Sequence, residues 1–150
     1  MPAANFSREL ELSASAESCW AALTDVPRLV SWVSILDSGR EIEPLARYEA
    51  VLADRVGPFK LRADLDIRLT DVQPPVAARV HAGGEDRQVG SRITVEAALK
   101  LVAGESGTTV TVDGTYEVSG RVATLGAGTI RKKADKILDE FFASLKTAMG

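Results

Sequence analysis

Between residues 35 and 119 apolar and polar side chains alternate with a period of two. Phe59, Leu61, Ala63, Leu65, Ile67 and Leu69 occupy one phase, and Lys60, Arg62, Asp64, Asp66, Arg68 and Thr70 the other. A helix would scatter both sets around its circumference, whereas a strand sends them to opposite faces. Tyr48, Ala50, Leu52 and Val56 repeat the pattern upstream, with Gly57-Pro58 as the turn between the two strands. Ile93, Val95, Ala97, Leu99 and Leu101 make a further inner row, and Val110, Val112, Gly114, Tyr116 and Val118 another. Pro74-Pro75, Gly83-Gly84-Glu85-Asp86 and Gly104-Glu105-Ser106-Gly107 read as the remaining turns. Connections this short join neighbouring strands, so the segment predicts a six-stranded antiparallel meander with one dry face.

The flanks change period. Phe6 to Leu12 reads as a first strand, with Phe6, Leu10 and Leu12 set against Arg8, Glu9 and Glu11. Ser13 to Glu17 carries helix-capping chemistry, and Cys19, Trp20 and Leu23 form a short helical face. Asp25-Val26-Pro27 breaks it, and a second short helix runs from Pro27 to about Trp32, opened by a proline whose missing N–H costs nothing there. After Gly120, Ile130, Ala134, Ile137, Leu138, Phe141, Phe142 and Leu145 recur at three- and four-residue spacing. A helix from about Val122 to Ala148 would be roughly 40 Å long, close to the roughly 44 Å of a strand over 59–71. The helix can therefore lie along the whole sheet. No linker, repeat or low-complexity stretch interrupts the 150 residues. The expected architecture is a single α+β domain over 1–150: a curved antiparallel sheet wrapped around a long C-terminal helix, with two short helices after strand one.

Composition narrows the chemistry. Eighteen basic against 21 acidic residues give a net charge of −3, the wrong sign for a protein that grips nucleic acid. One cysteine, Cys19, excludes an internal disulfide, and one histidine, His81, excludes a histidine metal cluster. Apolar runs last only a few residues, against the roughly 20 needed to cross a bilayer. Met1 to Phe6 shows no basic start and apolar run of an export signal, so a cytoplasmic location is expected. Cys19 lacks an activating neighbour and reads as packing. His81 is assigned to the outer face of its strand. Asp54, Asp64 and Asp66 fall in polar rows or near a strand end and form no acid pair. Gly126 and Gly128 lack the pattern of a phosphate loop. No catalytic constellation emerges.

A strongly curved sheet and a straight helix cannot touch everywhere, and the gap is a natural small-molecule site. The residues placed around it are Tyr48, Ala50, Leu52 and Val56, then Phe59, Leu61 and Leu65, then Ile93, Val95 and Tyr116 from the sheet. Trp32 and Leu36 join them from the second short helix and its exit, and Leu125, Ile130, Ala134, Ile137 and Phe141 from the long helix. Tyr48 and Tyr116 are the polar exceptions. Each position is open to the plainer reading of packed core. Trp32 is either a lid or membrane wedge, or ordinary packing. Leu125-Gly126-Ala127-Gly128-Thr129 is either a site of close approach or hinge, or a loop with the helix starting near Thr129. Arg131-Lys132-Lys133 with Lys136 reads as a solvated face, or as a contact for anionic headgroups.

The sequence also resembles a known family. Phe6 to Leu12 followed by Ser15-Ala16-Glu17-Ser18-Cys19-Trp20-Ala21-Ala22-Leu23-Thr24-Asp25-Val26-Pro27 is similar to the opening of the START-like helix-grip (SRPBCC) superfamily. Val56-Gly57-Pro58-Phe59-Lys60-Leu61, Leu69-Thr70-Asp71-Val72-Gln73-Pro74-Pro75, Gly120 to Gly126 and Ala134 to Phe142 resemble, more narrowly, the CoxG family associated with carbon monoxide dehydrogenase. Many members carry a membrane-associating C-terminal extension; the present sequence ends at Gly150. The resemblance implies a non-enzymatic accessory protein of a molybdenum-containing carbon monoxide dehydrogenase, peripherally associated with the inner face of the cell membrane. It joins the reading of the residues at one point. Each CH₂ of an isoprenoid quinone costs about 0.8 kcal/mol in water, so a carrier must enclose it in an apolar cavity. The expected ligand is a respiratory quinone such as menaquinone, with no covalently bound cofactor and no metal. Two alternatives stand beside this: a cyclase- or hydrolase-like enzyme, which needs Tyr48, Tyr116 or His81 to converge inside the cavity, and a membrane docking protein with a filled core.

Overall fold

The computed structural model describes residues 3–150; Met1 and Pro2, the start of the segment read for an export signal, lie outside them. Strand β1 (Ala3–Leu12) is followed by helices α1 (Ala16–Leu23) and α2 (Val26–Trp32). Then come β2 (Leu36–Glu43), β3 (Arg47–Val56), β4 (Phe59–Gln73), β5 (Ala77–Asp86), β6 (Ser91–Gly104) and β7 (Gly107–Gly120). A short 3-10 turn (Arg121–Leu125) leads into the long helix α3 (Ala127–Met149). The strands form one sheet in the order β1-β7-β6-β5-β4-β3-β2 with every neighbouring pair antiparallel. The six-stranded meander is thus β2 to β7, with β1 returning against β7, and the architecture is the α+β helix-grip fold. Ser15 caps α1 by accepting the Ser18 N–H, and Asp25 caps α2 by accepting that of Arg28.

Three features depart from the sequence reading. Arg8 belongs to the inward row of β1, with Ala4, Phe6, Leu10 and Leu12, and reaches Asp135 (3.3 Å) and Asp139 (3.7 Å) on α3. Gly83-Gly84-Glu85-Asp86 is strand rather than turn. A Cβ on Gly84 would stand 2.6 Å from Leu65 Cδ2 and 2.7 Å from the Asp64 carbonyl oxygen, so glycine here permits close approach of β4 and β5. The turn follows directly, where Asp86 accepts the backbone N–H groups of Gln88 (2.9 Å) and Val89 (3.0 Å). Finally, the long helix does not begin at Val122. Gly126, with φ +92°, separates the 3-10 turn from α3 by a backbone conformation that a side chain would disfavour. Neither Gly126 nor Gly128 has an atom within 4 Å of its Cβ position, so close approach within the chain does not explain them.

The core has two parts. Leu12, Cys19, Trp20, Ala78, Leu101, Val110, Phe142 and Leu145 pack where α1 and the C-terminal half of α3 meet the sheet. Tyr116, Val118, Val122 and Ile130 form a second cluster under the N-terminal half of α3. Along one side α3 is fastened to β1 by the Arg8 ion pairs and by Lys146 Nζ donating to the Glu11 carbonyl (2.8 Å). Along the other, Glu140 accepts from the backbone N–H and hydroxyl of Ser34, and Lys133 pairs with Asp54 of β3.

Candidate functional site

Under the N-terminal half of α3 the curved sheet leaves a partly open cavity of about 290 Å³ whose surface is almost entirely apolar. Its sheet wall is built from the inward phases of β3 to β7. Of the residues expected from the sequence, Leu52 and Val56 of β3, Leu61 and Leu65 of β4, Ile93 and Val95 of β6 and Tyr116 of β7 line it. Ile130, Ala134 and Ile137 line it from α3, at the three- and four-residue spacing that puts them on one helical face.

The other expected residues lie elsewhere, each for a local reason. Tyr48 and Ala50 are buried at the opposite end of β3; Ala50 pairs with Gly39, whose backbone packs against Val26 and Val30 of α2. The Tyr48 hydroxyl accepts the Leu45 N–H of the β2–β3 turn (3.2 Å), and burial holds its phenol above the ordinary value. Leu36 starts β2 opposite Leu52 but does not line the cavity, whereas the preceding Ile35 does. Phe59 and Leu125 pack against the second core cluster, where the Leu125 methyl groups lie beside Gly57 of the β3–β4 turn. Trp32 stands edge-on to Phe141 (5.9 Å between ring centres), and Phe141 edge-on to Phe142 (5.2 Å). Both Trp32 and Phe141 pack against the first core cluster, so the packing reading of Trp32 describes its position.

Several lining residues escape the sequence reading. Phe6, Ala63, Ala82, Val118, Val122 and Leu138 extend rows that the periodicity identifies. Asp54, Gly84, Asp86, Ser91, Arg92 and Lys133 look like polar positions or turn residues, or carry no signal at all. Position alone is enough to flag two of them: Asp54 follows 48, 50 and 52 on the inward phase of β3, and Asp86 follows 78, 80, 82 and 84 on that of β5. Lys133, part of a run that reads as solvated, makes a 2.5 Å ion pair with Asp54; the two side chains are 28% and 22% exposed, which puts their charged ends at the cavity's rim.

Two polar groups deeper in the wall accept from backbone N–H groups. Asp86 accepts the Arg62 N–H (2.7 Å) besides those of Gln88 and Val89, and these backbone donors hold its carboxyl below the ordinary range against the opposing effect of burial. Ser91 Oγ accepts the Val122 N–H (3.0 Å). The phase of β6 points Arg92 away from the inner row of Ser91, Ile93 and Val95. Of Tyr48, Tyr116 and His81 only Tyr116 lines the cavity; His81 lies on the outer face between Thr70 (3.0 Å) and Glu96 (3.4 Å). Cys19 is fully buried, and burial pushes its thiol up, opposed by Thr108. Among the described residues no three His, Cys, Asp or Glu side chains are grouped to hold a metal ion, and no helix is long and apolar enough to cross a membrane.

The comparisons agree with this geometry. A conserved protein from Geobacillus kaustophilus superposes with a TM-score of 0.84 at 24% identity, covering 97% of this chain and 94% of that one. A START superfamily protein from Mycobacterium smegmatis gives 0.69 at 13% identity (97% and 96% covered), and a protein from Rhizobium leguminosarum 0.68 at 18% (97% and 95%). At these identities the likeness speaks for the fold. No curated protein matches the chain. Residues 9–150 match the model of the CoxG family, described as the G subunit of carbon monoxide dehydrogenase.

Proposed function

The chain belongs to the CoxG family of carbon monoxide dehydrogenase, and from that membership we propose that it carries a respiratory quinone, menaquinone being the type expected, between a membrane and a molybdenum-containing carbon monoxide dehydrogenase. The observation that carries this reading is the dry cavity of about 290 Å³ between α3 and the sheet. A hydrocarbon leaving a bilayer loses about 0.8 kcal/mol per exposed CH₂, and an enclosing apolar wall offsets that loss. The volume is at the small end of the roughly 300–1,000 Å³ of ligand sites. It suits a ring system with the first part of a prenyl tail, and a longer tail requires α3 to move outward. An open cavity also speaks against the docking alternative, which has a filled core. The enzyme alternative asked for two of Tyr48, Tyr116 and His81 inside the cavity, and one lines it.

Organic extraction of the purified protein, followed by mass spectrometry, is expected to release a prenylated quinone. Titration of the stripped protein with menaquinone is expected to show saturable binding. Absence of both would remove the carrier function.

A further inference from the structure

We propose that Lys133, its charge balanced by Asp54, holds the oxygen-bearing end of the ligand at the cavity rim, and that Asp54 makes the site prefer a neutral carbonyl compound to a carboxylate lipid. This rests on the carrier reading above and adds an orientation and a selectivity to it. The interior offers a ligand oxygen no inward-facing charged donor: its surface is almost wholly apolar, the Asp86 carboxylate can only accept, and Ser91, whose Oγ accepts the Val122 N–H, and Tyr116 bring uncharged hydroxyls. A carbonyl pushed into such a wall exchanges its bonds to water for a neutral hydroxyl at most, a weaker partner than an ammonium group. Two cations line the cavity; Arg92 follows the outward phase of β6, whereas Lys133 lies on α3 with its side chain partly exposed. An ammonium group has three N–H donors; one faces Asp54, which leaves donors for a ligand. The oxygen therefore stays at the rim while the hydrocarbon fills the cavity.

Asp54 then decides the charge of what binds. With the carboxylate 2.5 Å from the ammonium, the pair is neutral as a unit. A neutral carbonyl accepts a hydrogen bond from Lys133 without disturbing it. A fatty-acid carboxylate brings a second negative charge beside Asp54, and like charges at such a spacing repel. Removing the Asp54 charge should reverse that preference.

The test titrates a short-tailed menaquinone, palmitate and squalene, which bears no oxygen, into the wild-type protein and into Lys133→Met, Lys133→Arg, Asp54→Asn and Tyr116→Phe, with thermal melts confirming that each variant folds. Lys133→Met should weaken quinone binding about tenfold, the worth of one charge-assisted hydrogen bond, and leave squalene binding unchanged. Lys133→Arg, which keeps the charge and the donors, should retain quinone. Asp54→Asn should tighten palmitate about tenfold. If the wild type binds quinone but the variants shift all three ligands together or none of them, the assignment is overturned. A loss in Tyr116→Phe with Lys133→Met unaffected overturns it too, by moving the donor to Tyr116. Failure of the wild type to bind any of the three ligands sinks the carrier reading itself, and this one with it.

Discussion

Asp86 shows how one side chain sets a local structure and its pH dependence together. It is 6% exposed and takes three backbone N–H groups, one from β4 and two from the β5–β6 turn. Those donors favour the charged form, so its carboxyl is more acidic folded than unfolded. The unfolded chain then binds more protons in acid. The stabilisation is fully present above the unfolded carboxylate value of about 3.9 and is lost as pH falls through the lower folded value. Asp86→Asn should cost about 1–3 kcal/mol at neutral pH and flatten the acid limb of a stability curve measured by urea unfolding at a series of pH values. An unchanged acid limb would show that another carboxylate produces it. Asp86, Asp54 and Arg8 escape a reading by residue type for one shared reason. Each sits on the inward phase of its strand, but alternation read by residue type assigns a charge to solvent whatever its phase. The groups that make a charge tolerable inside, the turn amides, Lys133, and Asp135 with Asp139, are far away along the chain or invisible until it folds.

At the scale of elements, what is legible in the sequence is whatever is local. Period two in 59–69 and the three- and four-residue spacing after Ile130 express which face of an element is dry, and β2 to β7 and α3 appear where those patterns stand. The start of α3 is not legible, because it depends on a backbone angle at Gly126. Nor is the strand through Gly83 and Gly84, where two glycines look like a turn until β4 is seen pressing against them. For α2 the sequence allows both a lid and plain packing. Its Trp32 packs edge-on against Phe141 of α3 while the cavity lies toward the other end of that helix. Trp32→Ala should therefore cost about 2–3 kcal/mol in thermal or urea unfolding, less than the roughly 3–5 kcal/mol of a fully buried aromatic, and leave quinone affinity unchanged. A stable variant with lost binding would restore the lid.

For the whole molecule the question is why a protein of this size keeps open space beside its core. The sheet bends across seven strands while α3 runs straight for roughly 35 Å, and the two are drawn together at β1, at α2 and at the 3-10 turn. Nothing in that geometry forbids filling the remainder. Ala63, Ala82 and Ala134 all face it, and larger apolar residues there would bring more hydrocarbon out of water. Small residues at those positions leave stability unclaimed, as expected where a site must stay vacant for something else. Ala134→Phe separates the two possible reasons. Projecting from the middle of the helical face into the cavity, the ring should raise stability by about 1 kcal/mol, a shift of roughly 2–4 °C at this chain length. The same change should weaken quinone binding by at least about tenfold through exclusion alone. A variant that melts lower and still binds would mean that the ring finds no room and that the ligand sits elsewhere; higher stability with binding lost is what a cavity kept open for its cargo requires.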